Sequence, residues 1–441
     1  MSNSLFGDID LTEVIGNETI RQRFEAGSEQ VTGEEVVGGD PPAVDGEPIE
    51  DWHDLDAVRE DLNKDYVLVN DLNSNTDGYD EHVRDPEAGF DPIGEFDSND
   101  DVEFAGTFDG NGNEIADVVI DRPTESSVGL FGANEGRIEN VTLTNVSVTG
   151  GSDVGGLVGL SNDGEIASSS VEGDVAGDSY VGGLVGFSQF SEIESSTATG
   201  DIKTTDDAGG GLVGGEFDSK IESAVATGDV EGEVFVGGLI GLSENGEIES
   251  SAATGDVEGG TSIGGLVGSN SDIRIESSAA TGDVEGESLV GGLVGSNFNS
   301  KTESVAATGD VEGDSDVGGL VGSNTGEIAS SFATGAVDGG SEVGGVVGEN
   351  GDFGTVMDTY WDENATGQQH GIGDGQGGTT GLDTDEMQGE TAPENMDDLD
   401  FEDTWEAVVS GESIPPDEDG YPILQAIDAE PQLEAQGLID G

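Results

Sequence analysis

The chain of 441 residues has 33% hydrophobic but only 5% aromatic residues, 76 glycines and no cysteine, which excludes one thick aromatic core, disulfides and thiolate metal sites. Asp and Glu number 97 against 11 Lys and Arg, a formal net charge of -86, which leaves no basic stripe to meet nucleic acid phosphates. Such self-repulsion suits disorder in dilute buffer, but molar salt, with a Debye length of about 3 Å, screens most of it.

Residues 1–47 read as a docking segment and linker. The start, MSNSLFGDID, has neither a basic n-region nor an apolar h-region, so no classical secretion signal is expected. A short helix is predicted over Leu11–Phe24, where Leu11, Val14, Ile15 and Ile20 give an imperfect apolar face. Arg21 and Arg23 form a close basic pair in an acidic chain, and with Leu11, Val14 and Ile15 they are candidates for binding a partner. An acidic linker follows over Glu34–Glu47. Residues 48–103 are predicted to cap a repeat region, with a helix over Asp54–Leu62 and a strand at Tyr66–Val69. No apolar run reaches the roughly 20 residues of a membrane span.

Residues 104–351 are repetitive. VGLFG and VGGLVG-like blocks place their central residue at Leu130, Leu157, Leu184, Leu212, Leu239, Leu266, Leu293, Leu320 and Val346, at intervals of 27, 27, 28, 27, 27, 27, 27 and 26. The length is too short for a propeller blade and lacks the leucine density of a leucine-rich repeat. In GEIESSAATGDVEG, Gly246 to Gly259, Ile248, Ser250, Ala252 and Thr254 alternate with Glu249, Ser251 and Ala253, and Val257 then points inward between Asp256 and Glu258. With VGGLVG as a third short strand, the unit is one coil of a three-sided parallel β-helix. The expected fold is an all-β solenoid of about nine coils, of either hand, with a cap at each end. The adjacent Leu266 and Val267 are expected to be buried together at a glycine bend. The alternative is an exposed apolar stripe over Val158, Val185, Val213, Ile240, Val267, Val294 and Val321. Residues 352–441, with Trp361 and Trp405, are expected to cover the last open coil.

Taken in order, FAGTFDGNGNEIADVVI (Phe104 to Ile120), VGLFG and the VGGLVG blocks resemble the GLUG-motif repeat proteins. So do the upstream EDWHDLDAVREDLNKDYVLVNDLN and PIGEF, and the downstream YWDENATGQQHGIGDG, GLDTDEMQ and GYPIL, from about Ile49 to Ile427. The resemblance implies large surface or secreted proteins, often adhesins, with solenoid repeats, and does not imply a catalytic constellation. The near absence of lysine (Lys64, Lys203, Lys220 and Lys301) resembles the proteins of extreme halophiles.

Chemistry is sparse. Carboxylate pairs such as Glu247 with Glu249, or Asp256 with Glu258, occur throughout an acidic surface and are unspecific. Asp109, Asn111 and Asn113 have the spacing of a calcium loop, but Glu114 replaces its glycine, so a turn is the better reading and calcium the one cofactor candidate. His53, His82 and His370 lie far apart and are expected in the caps, away from any metal. Tyr180, Phe187 and Phe190 lie close in sequence and are the candidate contact patch of the repeats. The expected function is therefore a non-enzymatic adhesion or host-attachment rod on the surface of a halophilic virus particle. Its partners would be a host surface protein or glycan, other virion proteins through the lead segment, and further copies of itself. A cell-surface or secreted archaeal adhesin, a structural spacer and a polysaccharide-cleaving enzyme are the alternatives.

Overall fold

The computed structural model describes residues 46–84, 87–96, 102–410, 419–427, 429–436 and 438–439. The lead-segment candidates Leu11, Val14, Ile15, Ile20, Arg21 and Arg23 lie outside the described residues.

The coil that begins at Ile240 shows how the repeat folds. Alternating apolar and polar residues give short strands at Ile240–Glu244, Glu247–Glu249, Ala252–Ala253, Val257–Glu258 and Thr261–Gly264, more than the three expected. Three corner residues take the left-handed backbone conformation: Asn245 at φ 59°, Ser250 at 52° and Ser262 at 60°. The same three positions recur as Asp272, Ser277 and Leu289 one coil later.

Ser250 corrects the inward pattern read from sequence. Its left-handed turn switches the phase of the alternation, so Ser251 and Ala253 are fully buried while Ser250 and Thr254 are half-buried. From there the inward set runs unbroken through Gly255 to Val257, and the phase change lies at Ser250, ahead of Gly255. The polar interior has a purpose. A corner interrupts the ladder between coils, and the Ser251 hydroxyl accepts the Ala224 N–H at 3.1 Å while donating to the Glu249 carbonyl at 2.9 Å. Ser278 does the same for the Ser251 N–H at 3.2 Å.

The VGGLVG block is not one strand. In this coil its first pair, Ile263-Gly264, closes the Thr261–Gly264 strand and its last, Val267-Gly268, opens Val267–Ser271, with a bend between them. At that bend the N–H groups of Leu266 and Val267 both donate to the Leu293 carbonyl of the next coil, at 2.9 and 3.0 Å. Both side chains are fully buried, as are Val158, Val185, Val213, Ile240, Val294 and Val321, so the exposed apolar stripe does not exist. Glycine is required here by space: a Cβ on Gly265 would lie 2.2 Å from the Gly292 carbonyl oxygen and 2.9 Å from the Ala280 Cβ.

Strands starting at Phe131, Val158, Val185, Val213, Ile240, Val267, Val294, Val321, Val347 and Ile372 stack in parallel, ten rungs where nine coils were counted from the repeats. At about 4.8 Å per rung the solenoid is about 45 Å long.

The N-terminal end is plugged by fully buried Trp52, Phe90, Phe104, Phe108 and Phe131. Trp52 opens the helix Trp52–Ala57, which Asp51 caps by accepting the N–H groups of His53 and Asp54 at 2.9 and 3.1 Å. The helix is shorter than the sequence pattern predicts and continues as a 3-10 turn, Val58–Glu60. The strands Glu47–Ile49 and Tyr66–Leu68 extend the solenoid's own parallel ladder outward.

At the other end, Trp361 occupies the interior column of Ala280, Ala307 and Ala333, where its larger ring fills the last coil. The segment after Asp383 lies along the flank as well as at the end. Its Met387, Met396, Trp405 and Leu424 cover the outward column Ala279, Ala306, Phe332 and Tyr360, with Trp405 and Phe332 ring centroids 5.1 Å apart.

Candidate contact surface

Four successive coils present a Gly-Asp-Val-Glu step, at 228–231, 255–258, 282–285 and 309–312, whose valine points in, so its two carboxylates point out. Stacked in register, Glu231, Glu258, Glu285 and Glu312 form one column. Asp201, Asp229, Asp256, Asp283 and Asp310 form the other, and together they line a long acidic groove. The aspartates also have a structural task. Asp229 accepts the Asp256 N–H at 2.9 Å, and Asp256 and Asp283 accept the next N–H in turn at 2.8 Å. The groove is therefore a solvated face whose Asp column is built into the backbone ladder.

The outward residues of the Val185–Gln189 face differ. Along one column run Leu160, Phe187, Gly215 and Leu242, and the next three coils have Ser269, Ser296 and Ser323 in the same place. The repeat does not need an apolar residue there, since serine serves equally well. Tyr180 and Phe187 meet edge to face with centroids 5.1 Å apart. Gly215 leaves room for both rings: a Cβ there would sit 2.6 Å from Tyr180 Cδ1 and 3.1 Å from Phe187 Cδ2.

Tyr180 stands at a left-handed corner, φ 53°, in register between Asp153 and Ala208. Phe235 takes the same corner two coils on, at φ 52°. A residue with a Cβ there costs about 1–2 kcal/mol of local strain, and Ser262 and Leu289 hold the same conformation at the equivalent position. Burial raises the Tyr180 hydroxyl above its usual range, helped by Asp207, Asp153 and Glu244. The patch thus combines half-buried ring faces with a ring of acceptors. It suits a neutral or cationic ligand that offers an apolar face and hydroxyl donors.

Of the three candidates read from sequence, the structure pairs Tyr180 with Phe187, whereas Phe190 meets Phe217 at the opposite edge of the face, centroids 5.7 Å apart. Phe217, Gly215 and Leu242 were not singled out from sequence. Their signal is the column, visible only once coils are aligned in register. Asp109, Asn111 and Asn113 form a turn: Asp109 accepts the Asn111 N–H at 2.8 Å, and both asparagine amides donate to the Leu68 carbonyl.

One interior residue is unexpected. Glu216 occupies a buried column otherwise made of serine and asparagine, Asn134, Ser161 and Ser188 before it and Ser243, Asn270, Asn297, Asn324 and Asn350 after it. It is 2% exposed, takes a hydrogen bond from Ser243 and accepts the Ser219 N–H at 3.1 Å. Burial pushes its carboxyl up to about 8. Its space comes from Gly246, where a Cβ would fall 2.1 Å from Glu216 Oε1.

Residues 177–203, 236–258, 259–285 and 286–312 match the family described as the GLUG motif, less than half of the chain. These repeats are GLUG motifs. The first of them contains Tyr180, Phe187 and Phe190. A 77-residue stretch is 49% identical to halomucin of Haloquadratum walsbyi, covering 17% of this chain and 1% of that protein. The chain thus spans a small fraction of this relative. A Bacteroides ovatus structure, provisionally named an immunoglobulin A1 protease, aligns over 87% of this chain and 95% of that one at 15% identity. Its TM-score of 0.34 carries no argument about fold or activity.

Proposed function

We propose that this chain is a non-enzymatic, adhesin-like surface rod of a salt-adapted organism, or of a virus that infects one, and that it contacts a surface glycan or protein through the Tyr180–Phe187 patch. The observation that carries the reading is the change along one column, from Leu160, Phe187 and Leu242 to Ser269, Ser296 and Ser323. The same backbone accepts serine, and Phe187 and Leu242 keep part of their surface exposed while Leu160 is buried, which supports a contact role for the exposed part of the column. The GLUG repeats and the similarity to halomucin support a surface role, and the net charge of -86 supports display in concentrated salt. Display on a virus particle, with host attachment as the task, is the narrower form of the reading. Its motive is the composition of the lead segment, with Arg21 and Arg23 beside an imperfect apolar face, and finding the chain in purified virions by mass spectrometry would favour it.

The test is binding of the labelled chain to halophile cells in molar KCl, alone and with Tyr180→Ser and Phe187→Ser combined. The patch reading expects the double variant to lose about tenfold or more in affinity with its far-ultraviolet circular dichroism unchanged. Equal binding by the two chains would remove the patch from the account.

A further inference from the structure

The chain has only three histidines, and two of them meet. His53 Nδ1 lies 2.9 Å from His82 Nε2, although the residues are 29 apart in sequence. His53 sits in the first turn of the Trp52–Ala57 helix, and His82 and Glu81 sit on a single π turn, Asp80–Arg84. Such turns are rare and concentrate at functional sites. Gly78 brings the turn against the helix: its φ is +86°, and a Cβ there would come 3.1 Å from the His53 ring.

The protons can be placed from the partners. His82 Nδ1 is 3.2 Å from Asp56 Oδ1, an atom that Arg59 Nη1 also holds at 2.5 Å. A carboxylate beside Nδ1 favours the tautomer of His82 with hydrogen on Nδ1, in which Nε2 presents a lone pair. His53 Nδ1–H then fills that lone pair. A carboxylate behind one imidazole nitrogen, with the other aimed at a shared point, is how proteins orient a histidine toward a metal. Donor atoms of His53, His82 and Glu81 all lie within 4.8 Å of one another.

We propose that His53, His82 and Glu81 form a binding site for a divalent transition metal ion of the zinc type, with Asp56 as the positioning residue for His82. Two imidazoles and one carboxylate select zinc, cobalt, nickel or copper over calcium and magnesium. Two nitrogens on a tetrahedral zinc, each at about 2.0–2.1 Å, stand about 3.3 Å apart, so the pair needs to open by only a few tenths of an ångström. The ion takes the place of the hydrogen between the rings, and His53 binds it as the neutral tautomer that carries its hydrogen on Nε2, so no net proton is released. The bound ion would tie helix to turn beside the aromatic plug that closes the solenoid. This inference is independent of the contact patch.

The experiment titrates the full chain with Zn2+ and, for its visible spectrum, with Co2+, in molar KCl and excess Ca2+ so that surface carboxylates are occupied. The expected result is one tight site per chain. His82→Ala should weaken it by about tenfold or more, and His370→Ala should leave it unchanged. To keep a loosened cap from being mistaken for lost ligation, the unaltered chain is also loaded with Cu2+ and examined by electron paramagnetic resonance. Nitrogen hyperfine structure from two imidazoles supports the site. An oxygen-only spectrum, or zinc binding abolished by calcium, overturns it.

Discussion

Glu216 is the clearest case of one residue governing the behaviour of its surroundings. Its carboxyl is held up to about 8 against an ordinary 4.5, mainly by burial. Between those values the folded chain binds a proton there that the unfolded chain has released, so this contribution to stability is full below about 4.5, falls as pH rises and is gone above about 8. Glu216→Gln keeps the shape and removes the titration. The difference in melting temperature between the two chains, measured in molar KCl, should therefore swing in favour of the Gln variant as pH is raised from about 5 to about 8. A difference independent of pH would mean that Glu216 is solvated. The position was legible in the sequence, because VGGEF puts Glu where sibling repeats have Ser or Asn. Its partner space at Gly246 was not, since the two residues meet only after a full turn of the coil. The pairing of His53 with His82 was hidden for a similar reason: it depends on the Gly78 turn and on no period.

The coil itself was read from its 27-residue spacing and its alternating residues, and those fixed a parallel solenoid with Leu and Val columns inside. The phase within the coil was misread at Ser250. Two adjacent serines look alike to a period-two pattern, and only a left-handed corner separates them. The structure assigns opposite tasks to the pair. Ser251→Ala leaves the Ala224 N–H without its acceptor in a buried place and should cost about 1–3 kcal/mol. Ser250→Gly relieves a left-handed conformation and should be neutral or stabilising by up to about 1 kcal/mol. Chemical denaturation of the two variants checks this, and the reverse order of stabilities would restore the phase read from sequence. The same alignment of coils explains where the few bases stand. Arg137, Lys220, Arg274 and Lys301 share one outward column with Glu165, Glu192, Glu247 and Glu327. Each base has an acid in an adjacent coil, and Arg274 and Lys301 also face each other. Each base also pairs with the Glu two residues on, Glu139, Glu222, Glu276 and Glu303. These pairs are half-exposed, and each is worth at most about 1 kcal/mol.

Over the whole molecule, like charges are stacked at the rung spacing of about 4.8 Å, which is inside the Debye length of about 8 Å at physiological ionic strength and outside the about 3 Å of molar salt. Glu231, Glu258, Glu285 and Glu312 lie directly opposite one another in successive coils, an arrangement that destabilises a sheet unless it is screened. Lys203 answers only the first of them, at 2.6 Å from Glu231. In the interior the Leu and Val columns are closed and the corner serines bond the backbone, with buried Glu216 the exception. The solenoid should therefore hold its form in concentrated salt and lose it in dilute buffer. Far-ultraviolet circular dichroism of the purified chain, followed from molar KCl to tens of millimolar and back, measures this directly. The β-sheet signal should fade on dilution and return when salt is restored, whereas an unchanged spectrum at low salt would contradict the claim that this acidic rod is built for a saline surface.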